Sequence, residues 1–253
     1  MGRCCSAANL CTTVAVVVAM TLGWLNTGGV TDGTLPAFHL LEPYGFVAED
    51  MPDLTGKVAL VTGTSSGLGL GVSRALAKAG ATLTITARTS SKCEAALADV
   101  RGHAGTGSSD RVSCKVLELL DLQAVEQSGT ELAAALPRLD MLVLNAGIMA
   151  PPTLLVSKDG FEEQFQVNHL SQFSLLQKLL PSLKSAQAPR VVFVSSVAHY
   201  FAPHNAGETI MSTEAMLDGA NYDQYAWYGW SKLANILTAR ELARREPSIM
   251  SHA

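Results

Sequence analysis

Two side chains of the segment YAWYGWSK, Tyr228 and Lys232, have the types and spacing that proton transfer requires. The segment has the composition of a helix, so residues four positions apart lie on one face, one turn from each other. A phenol beside an ammonium can be an ordinary surface contact. It can also be a general acid whose pKa is lowered by the neighbouring positive charge. Spacing alone does not decide between them, so the elements that position the pair must be considered.

The composition excludes several classes of function. The chain has 253 residues, a net charge of −4 and a hydrophobic share of 48%, which suits one domain with a sizeable core. It contains no basic tract of the kind that binds nucleic acid. The cysteines are Cys4, Cys5, Cys11, Cys93 and Cys114, and none forms a C-x-x-C pair. That pattern argues against a disulfide framework and a zinc site, and because the histidines are scattered no bound metal is expected.

The N-terminal segment, residues 1–53, differs from the rest of the chain. Residues Leu10 to Leu25 are strongly apolar and uncharged, and as a helix they would span about 24 Å, somewhat less than a bilayer core. The first interpretation is a membrane anchor, the second a cleaved signal peptide and the third a buried helix. Arg3, just before the apolar run, suits the first two. Membrane association is expected, with the endoplasmic reticulum as the candidate compartment.

The extreme N-terminus fits a second membrane signal. MGRCCS matches the M-G-x-x-x-[ST] pattern, with Gly2 as a myristoylation candidate and Cys4 and Cys5 as palmitoylation candidates. This short pattern carries less weight than the apolar run. Residues 26–53, rich in glycine and proline, are predicted to be a linker to a domain that covers residues 54–253.

From Leu54 onwards, short apolar runs typical of buried strands alternate with segments typical of helices. The alternation predicts an α/β fold, a Rossmann-like doubly wound parallel sheet with right-handed crossovers. Ligands of such sheets bind at the carboxyl ends of the strands, where Gly63, Arg88, Asn145 and Ser196 lie. The predicted strands are Lys57–Gly63, Thr82–Arg88, Val112–Leu117, Asp140–Gly147 and Arg190–Ser196. The helices between them include a long one from about Asp159 towards Leu183, with Pro181 as a candidate end.

The turn after the first strand, TGTSSGLG, contains Gly63, Gly67 and Gly69. Glycine at such a turn allows the backbone to approach a pyrophosphate closely and the helix to pack on the strand. The free N–H groups of the helix that follows then face the anion. Three glycines alone are weak evidence, but their place between a buried strand and a helix favours a dinucleotide site.

The end of the second strand distinguishes the two nicotinamide cofactors. An acidic residue there would bind a ribose 2′-hydroxyl, whereas an arginine favours a 2′-phosphate. This chain has Arg88 and no acid until Glu94, which favours NADP(H) over NAD(H). The alternative is that Arg88 is an ordinary solvated residue.

The order of these motifs, TGxxxGxG, N-A-G, a serine after the fifth strand and Y-x-x-x-K, resembles that of the short-chain dehydrogenase/reductases. The match extends from about Leu54 to Glu246. Segments such as FQVNHLSQFSLLQKLLPSL and YGWSKLANILTARELA are most similar to the retinol dehydrogenase and WW-domain-containing oxidoreductase branch. The resemblance implies a hydride transfer between NADP(H) and an alcohol or carbonyl, on a lipid-like substrate such as a retinoid or steroid. A homo-oligomer is compatible with it.

The resemblance also assigns roles to individual residues. The implied cofactor-binding residues are Thr62, Gly63, Ser65, Ser66, Gly67, Leu68, Gly69, Arg88, Asp121, Leu122, Asn145, Ala146, Gly147, Tyr228 and Lys232. Within this set, Asp121 matches the acid that holds the adenine amine. The implied catalytic residues are Asn168, Ser196, Tyr228 and Lys232. Ser196 is preferred over Ser195, and Tyr228 over Tyr225, because they match the positions in the motifs.

In this scheme Tyr228 is the acid in reduction and the base in oxidation. Lowering its pKa from about 10 to about 7 requires roughly 4 kcal/mol of preferential stabilisation of the anion. Lys232 and a cationic nicotinamide would supply it, and Lys232 would also hold the nicotinamide ribose. Ser196 would bind the substrate oxygen, and Asn168 a water that links Lys232 to solvent. Each residue could instead be merely structural.

The chain departs from the family after the Tyr–Lys helix, where only SIMSHA follows Pro247. The expectation is a C-terminally truncated sheet that lacks its last strands, with the fifth strand as an exposed edge. Three hypotheses follow: an active membrane-bound reductase, an inactive dinucleotide- or partner-binding module, and a fragment of a longer enzyme. The second departure is a long segment, Phe201 to Gln224, which is predicted to be a loop over the substrate.

Overall fold

A computed structural model of the protein describes residues 51–104, 109–202 and 217–253. Its strands are β1 (Val58–Val61), β2 (Thr82–Ala87), β3 (Val112–Val116), β4 (Met141–Leu144), β5 (Arg190–Phe193) and β6 (Met250–His252). Its helices are α1 (Gly67–Lys78), α2 (Ser90–His103), α3 (Leu122–Ala135), α4 and α5 (Gln224–Arg245). Helix α4 joins three segments, Glu163–Phe165, a π-helical Gln166–Leu170 and Ser171–Lys184, and continues through Pro181.

The described strands form one parallel sheet in the order β3-β2-β1-β4-β5-β6. The predicted Rossmann-like α/β fold is therefore confirmed. The chain adds β2 and β3 on one side of β1 and then crosses to add β4, β5 and β6 on the other side, so β1 lies between β2 and β4. This reversal opens a crevice at the carboxyl ends of β1 and β4, where doubly wound sheets bind their ligands.

Two apolar clusters cover the two faces of the sheet. Along β1, Leu60 belongs to the cluster beneath α3 and α4, whereas Ala59 and Val61 belong to the cluster beneath α1 and α2. Successive side chains of a strand point to opposite faces, and all three are fully buried. Burial on both sides explains why the strands are continuous apolar runs.

The fifth strand is not the edge of the sheet, so the expectation of an exposed β5 is wrong. Residues Met250–His252 pair with Arg190–Val192 in parallel, and the Met250 N–H donates to the Pro189 carbonyl at 3.0 Å. Ile249 is 2% exposed and packs into the core beneath α4. A single buried isoleucine therefore anchors a short strand that has no periodicity for sequence reasoning to detect.

A disulfide joins Cys93 of α2 to Cys114 of β3, with the Cα atoms 5.8 Å apart. The prediction that the cysteines form no disulfide framework is wrong for this pair. The two cysteines are 21 residues apart in sequence and meet because α2 packs against β3.

Residues 1–50 lie outside the described part of the chain, and with them the predicted anchor, signal peptide, acylation sites and most of the linker. Within the ranges that are described, no helix is both long and apolar enough to cross a membrane. The boundary at residue 54 remains a prediction.

Candidate active site

A cleft of about 550 Å³ lies at the carboxyl ends of the strands. It extends from the glycine loop and Arg88 to Tyr228 and Lys232. Among the residues predicted to bind a cofactor, those that line the cleft are Gly63, Ser65, Ser66, Leu68, Gly69, Arg88, Asn145, Ala146, Gly147, Tyr228 and Lys232. Thr62, Gly67, Asp121 and Leu122 do not line it, nor do Asn168 and Ser196.

Glycine is required in the loop for two reasons, backbone conformation and close packing. Gly63 and Gly67 adopt left-handed backbone angles, with φ of 68° and 58°. A Cβ on Gly63 would lie 2.6 Å from Ala146 Cα, and one on Gly69 would lie 2.4 Å from Asn145 Nδ2. The loop therefore packs directly against the Asn145 turn, and the start of α1 faces the cleft.

A buried polar network holds this packing in register. The Asn145 side-chain amide donates to the carbonyls of Thr62 and Gly63, at 2.9 and 3.0 Å. The Thr62 hydroxyl donates to Gln172 Oε1 at 2.7 Å and accepts from the Asn145 and Ala146 N–H groups. Thr62 is fully buried, so it supports the loop from beneath rather than facing the cleft.

One end of the cleft is basic. Arg88 follows β2, and Lys92 lies in the first turn of α2; both are exposed and line the cleft. Lys92 is a residue that sequence reasoning missed. It lies near the N-terminus of the helix that begins at Ser90, whereas Arg88 precedes the Thr89 N-cap, so helical spacing does not relate the two residues.

The carboxylate that lines the cleft after β3 is Glu118, not Asp121. Asp121 is the N-cap of α3, where its side chain accepts from the Ala124 N–H at 3.0 Å and pairs with Lys158 at 2.5 Å. Those two partners hold the pKa of Asp121 below its usual value. Neither Asp121 nor Leu122 lines the cleft, and their roles at the adenine remain predictions.

Tyr228 and Ser196 meet because two segments pack closely. A Cβ on Gly229 would lie 2.5 Å from the Ala198 carbonyl, so glycine allows the short helix Val197–Phe201 to lie against α5. The Ser196 hydroxyl hydrogen-bonds to the Tyr228 phenol. Ser195 donates instead to the Lys232 carbonyl at 2.9 Å, which supports the choice of Ser196. Tyr225 is 50% exposed and does not line the cleft.

Lys232 is buried at the inner wall of the cleft. Its Nζ donates to the Val194 carbonyl at 2.8 Å and lies 5.4 Å from the centroid of the Tyr228 ring. Asn235, one turn later, is also buried and donates to the Asn168 carbonyl at 3.2 Å and to the Val194 carbonyl at 3.4 Å. Asn235 is a second residue that sequence reasoning missed.

Asn168 lies behind the cleft wall, in the π-helical part of α4. Its side chain accepts from the Ile148 N–H at 2.8 Å and donates to the Ile148 carbonyl at 2.9 Å and the Ser231 hydroxyl at 3.0 Å. It therefore ties the turn after β4 to α5. Its predicted link to a water remains a prediction.

The pKa values differ from the sequence expectation. Burial raises the pKa of Tyr228 above its usual value, and the hydrogen bond from Ser196 opposes this rise only in part. Burial also lowers the pKa of Lys232 to about 8. The expected lowering of the Tyr228 pKa by Lys232 is therefore not found. The ammonium is directed to the Val194 carbonyl rather than to the phenol oxygen.

Exposed apolar side chains lie in the cleft and in the segment that follows Ser196. Met149 in the cleft and Val197, Tyr200 and Phe201 after Ser196 are 61–77% exposed. Residues 203–216 of the predicted substrate loop lie outside the described ranges. Its end is attached by Tyr222, whose hydroxyl hydrogen-bonds to buried Glu162 at 3.2 Å and to Gln164 at 3.0 Å.

A parallel sheet of this order, with a glycine loop at the strand crossover, defines a dinucleotide-binding domain. The chain belongs to the short chain dehydrogenase family, whose family model matches residues 57–208, more than half of its length. This confirms the resemblance and implies a nicotinamide dinucleotide as cofactor.

The curated relatives place the chain in the retinol dehydrogenase branch of that family. It is 33% identical to human retinol dehydrogenase 13, over 81% of this chain and 60% of that protein. It is 38% identical to mouse retinol dehydrogenase 14, over 75% of this chain and 57% of that protein. The chain thus spans about 60% of the length of these relatives.

Solved structures agree on the fold. An uncharacterized protein of Mycobacterium paratuberculosis is 37% identical with a TM-score of 0.65, over 79% of this chain and 66% of that chain. The Pseudomonas aeruginosa RhlG/NADP active-site complex is 30% identical with a TM-score of 0.58, over 78% and 69% of the two chains.

Proposed function

We propose that this protein is an NADP(H)-dependent oxidoreductase that interconverts an alcohol and a carbonyl on a lipid-like substrate such as a retinoid or steroid. One observation carries the proposal. A single cleft contains the glycine loop and the Arg88–Lys92 pair at one end and Tyr228 with Lys232 at the other. Binding and chemistry would therefore share one continuous surface.

The residues present fit a phosphorylated dinucleotide. The loop from Gly63 to Gly69 and the start of α1 would hold the pyrophosphate, because residues of both line the cleft and the first turn of a helix has free N–H groups. Arg88 and Lys92 would hold the 2′-phosphate. Glu118, in place of Asp121, would accept from the adenine amine, and Lys232 would donate to the nicotinamide ribose. When bound, the nicotinamide supplies or accepts the hydride and carries a positive charge in its oxidised form.

The proton would be moved by Tyr228. In carbonyl reduction its phenol donates to the developing alkoxide, and in alcohol oxidation its oxygen accepts the hydroxyl proton. Ser196, already hydrogen-bonded to the phenol, would bind the same substrate oxygen and fix its position. Burial raises the pKa of Tyr228 in the protein itself, so the bound oxidised nicotinamide would have to supply the positive charge that favours the phenolate during oxidation.

A further feature of the surface concerns the substrate. Met149 lines the cleft, and Val197, Tyr200 and Phe201 follow Ser196 in the chain. Their exposed apolar side chains favour an apolar substrate over a sugar or an acid. The name of the retinol dehydrogenase relatives agrees with this class. Membrane association through residues 10–25 and a homo-oligomeric state remain part of the proposal.

The test is nucleotide binding to the full chain, purified in detergent, by calorimetry with NADPH and NADH. NADPH should bind at least about tenfold tighter than NADH, because the 2′-phosphate makes charge-assisted hydrogen bonds. Arg88→Ala should remove most of that difference. Arg245→Ala is the matched control, since Arg245 is an exposed arginine that pairs with Glu241 and does not line the cleft.

The outcomes of nucleotide binding and turnover together distinguish an active reductase from an inactive binding module. Selective NADPH binding followed by oxidation of NADPH with retinal, steroid or aliphatic carbonyls establishes the reductase. Selective NADPH binding without turnover of any carbonyl supports the hypothesis of an inactive dinucleotide-binding module. Equal binding of NADPH and NADH contradicts the NADP(H) assignment, and a folded chain that binds neither contradicts the proposal as a whole.

A further inference from the structure

The Cys93–Cys114 disulfide lies next to the basic end of the cleft. Cys93 follows Lys92 directly in the first turn of α2, and Cys114 lies on β3 opposite Ile85 of β2. Cys93 is 5% exposed, whereas Cys114 is half-buried. The cross-link thus joins the turn that carries a phosphate-binding candidate to the neighbouring strand.

The two halves of α2 are held in different ways. Its C-terminal half is anchored by polar contacts: Arg101 donates to the Val112 carbonyl at 2.7 Å, and Asp99 pairs with Arg74 of α1 at 2.6 Å. The contact described between its first turn and β3 is the disulfide. Without that bond the first turn keeps its N-cap, where the Lys92 N–H donates to the Thr89 hydroxyl at 3.4 Å, but loses its covalent tie to β3.

We propose that Cys93 and Cys114 form a redox-sensitive cystine that fixes Lys92 beside Arg88 and thereby increases the affinity of the site for a nucleotide 2′-phosphate. The inference rests on the proposed NADP(H) function and adds a modification site and a second affinity determinant to it. Affinity for the rest of the nucleotide would change little, because the glycine loop and Asn145 are joined by their own hydrogen bonds.

The covalent step balances with a small disulfide as oxidant. The Cys93 and Cys114 thiolates displace both halves of one RSSR molecule in two thiol–disulfide exchanges, through a mixed disulfide. Two electrons pass from the protein sulfurs to the sulfurs of RSSR. The two thiol protons end on the two released RSH molecules. The reverse exchange, with excess RSH or a phosphine, reduces the cystine.

The first experiment locates the bond in the full chain. After incubation with oxidised glutathione, trypsin digestion without reductant should release residues 93–101 joined to residues 112–115, a species that separates on reduction. The absence of the joined peptides after oxidation would overturn the proposal. The variant C4S/C5S/C11S is the matched control, because it removes every other cysteine and should give the same joined peptides.

The second experiment measures the consequence with two half-ligands, adenosine 2′,5′-bisphosphate and AMP, which differ by the 2′-phosphate. Reduction should weaken binding of the bisphosphate about fivefold and that of AMP less than about twofold, as for a modest coupling between sites. C93A/C114A should bind like the reduced protein under both conditions. The control C4S/C5S/C11S, which keeps only Cys93 and Cys114, should retain the response to reduction.

Equal bisphosphate affinity in the oxidised and reduced protein would overturn the proposal, even with the bond present. A third readout needs no nucleotide: native trypsin should cut after Lys92 several-fold faster in the reduced protein, because local opening controls cleavage. If the chain binds neither half-ligand, the proposed function fails. The trypsin result then decides on its own whether the cystine holds the first turn of α2.

Discussion

The ammonium of Lys232 lies 5.4 Å from the centroid of the Tyr228 ring, yet its hydrogen bond goes to the Val194 carbonyl, at 2.8 Å. The helical spacing of four residues brings the two side chains to one wall of the cleft. The direction of the ammonium is set by Val194, the residue after β5, which is distant in sequence. Tyr228 and Lys232 thus share one wall of the cleft, but the ammonium hydrogen-bonds to the backbone of Val194 and not to the phenol oxygen.

Replacement of Tyr228 tests the proton transfer. Tyr228→Phe should lower turnover by about 100-fold or more, because general acid–base catalysis contributes that much, and NADPH affinity should stay within about twofold. Steady-state rates and calorimetry measure the two quantities. Tyr225→Phe on the same helix is the control and should retain activity, since Tyr225 is half-exposed outside the cleft. Unchanged turnover in Tyr228→Phe would contradict the assignment.

The pKa of Lys232 makes stability depend on pH. Burial lowers this pKa to about 8 from an ordinary 10.5, so the unfolded chain holds the proton more tightly than the folded one. Stability should therefore rise between pH 8 and pH 10.5, by up to about 1.4 kcal/mol per pH unit, and fall as pH drops towards 8. Urea unfolding of wild type and Lys232→Met at several pH values measures it.

Lys232→Met serves as the control for the wild-type curve, because methionine has a similar volume to lysine and carries no charge. The difference in unfolding free energy between the two proteins should be largest near pH 7 and shrink as pH rises, with the variant the more stable at neutral pH. Parallel pH curves for the two proteins would show that Lys232 keeps its ordinary pKa.

Two glycines of α1 give a matched pair. Gly69→Ala should destabilise the fold severely, by about 3 kcal/mol or more, because its Cβ would lie 2.4 Å from Asn145 Nδ2 and from the Gly63 carbonyl oxygen. Gly71→Ala, two residues on in the same helix, has nothing within 4 Å of its Cβ. It should stabilise the protein by up to about 1 kcal/mol, through helix propensity. Thermal unfolding compares them, and equal effects would contradict this packing.

Asn235 is predicted to position the catalytic residues. It joins the Asn168 and Val194 carbonyls, and the latter is the acceptor of Lys232. Asn235→Ala should lower kcat about tenfold and leave the NADPH Kd within about twofold, because misplacement of a reacting group affects chemistry more than binding. Asn221→Ala, at an exposed turn, is the control. A loss of binding as large as the loss of kcat would indicate a purely structural role.

Much of the fold and part of the site followed from local pattern. The strands are apolar and β-branched, and the helices between them are bounded by glycine and by capping residues, so the element order needs only neighbours in sequence. The turn at Gly63 and Gly67 requires positive φ, which glycine allows. The four-residue spacing of Tyr228 and Lys232 and the cationic end of β2 at Arg88 were likewise visible in the sequence.

Other features depended on which elements lie side by side. Asp121 and Glu118 are both acids after β3, and only the start of α3 decides that one caps a helix while the other lines the cleft. Cys93 meets Cys114 because α2 packs on β3, and Met250–His252 becomes a strand because Ile249 is buried. The pKa values of Tyr228 and Lys232 follow from burial.

The sequence by itself determined the order of elements, the glycine turn and the residue types of the site, because these depend on backbone preferences and on periodicity over a few residues. The tertiary structure decided which acid lines the cleft, which cysteines pair, which carbonyl the Lys232 ammonium donates to and that Met250–His252 pairs with β5. Desolvation and contact between distant segments control these outcomes, and neither is encoded in any local pattern.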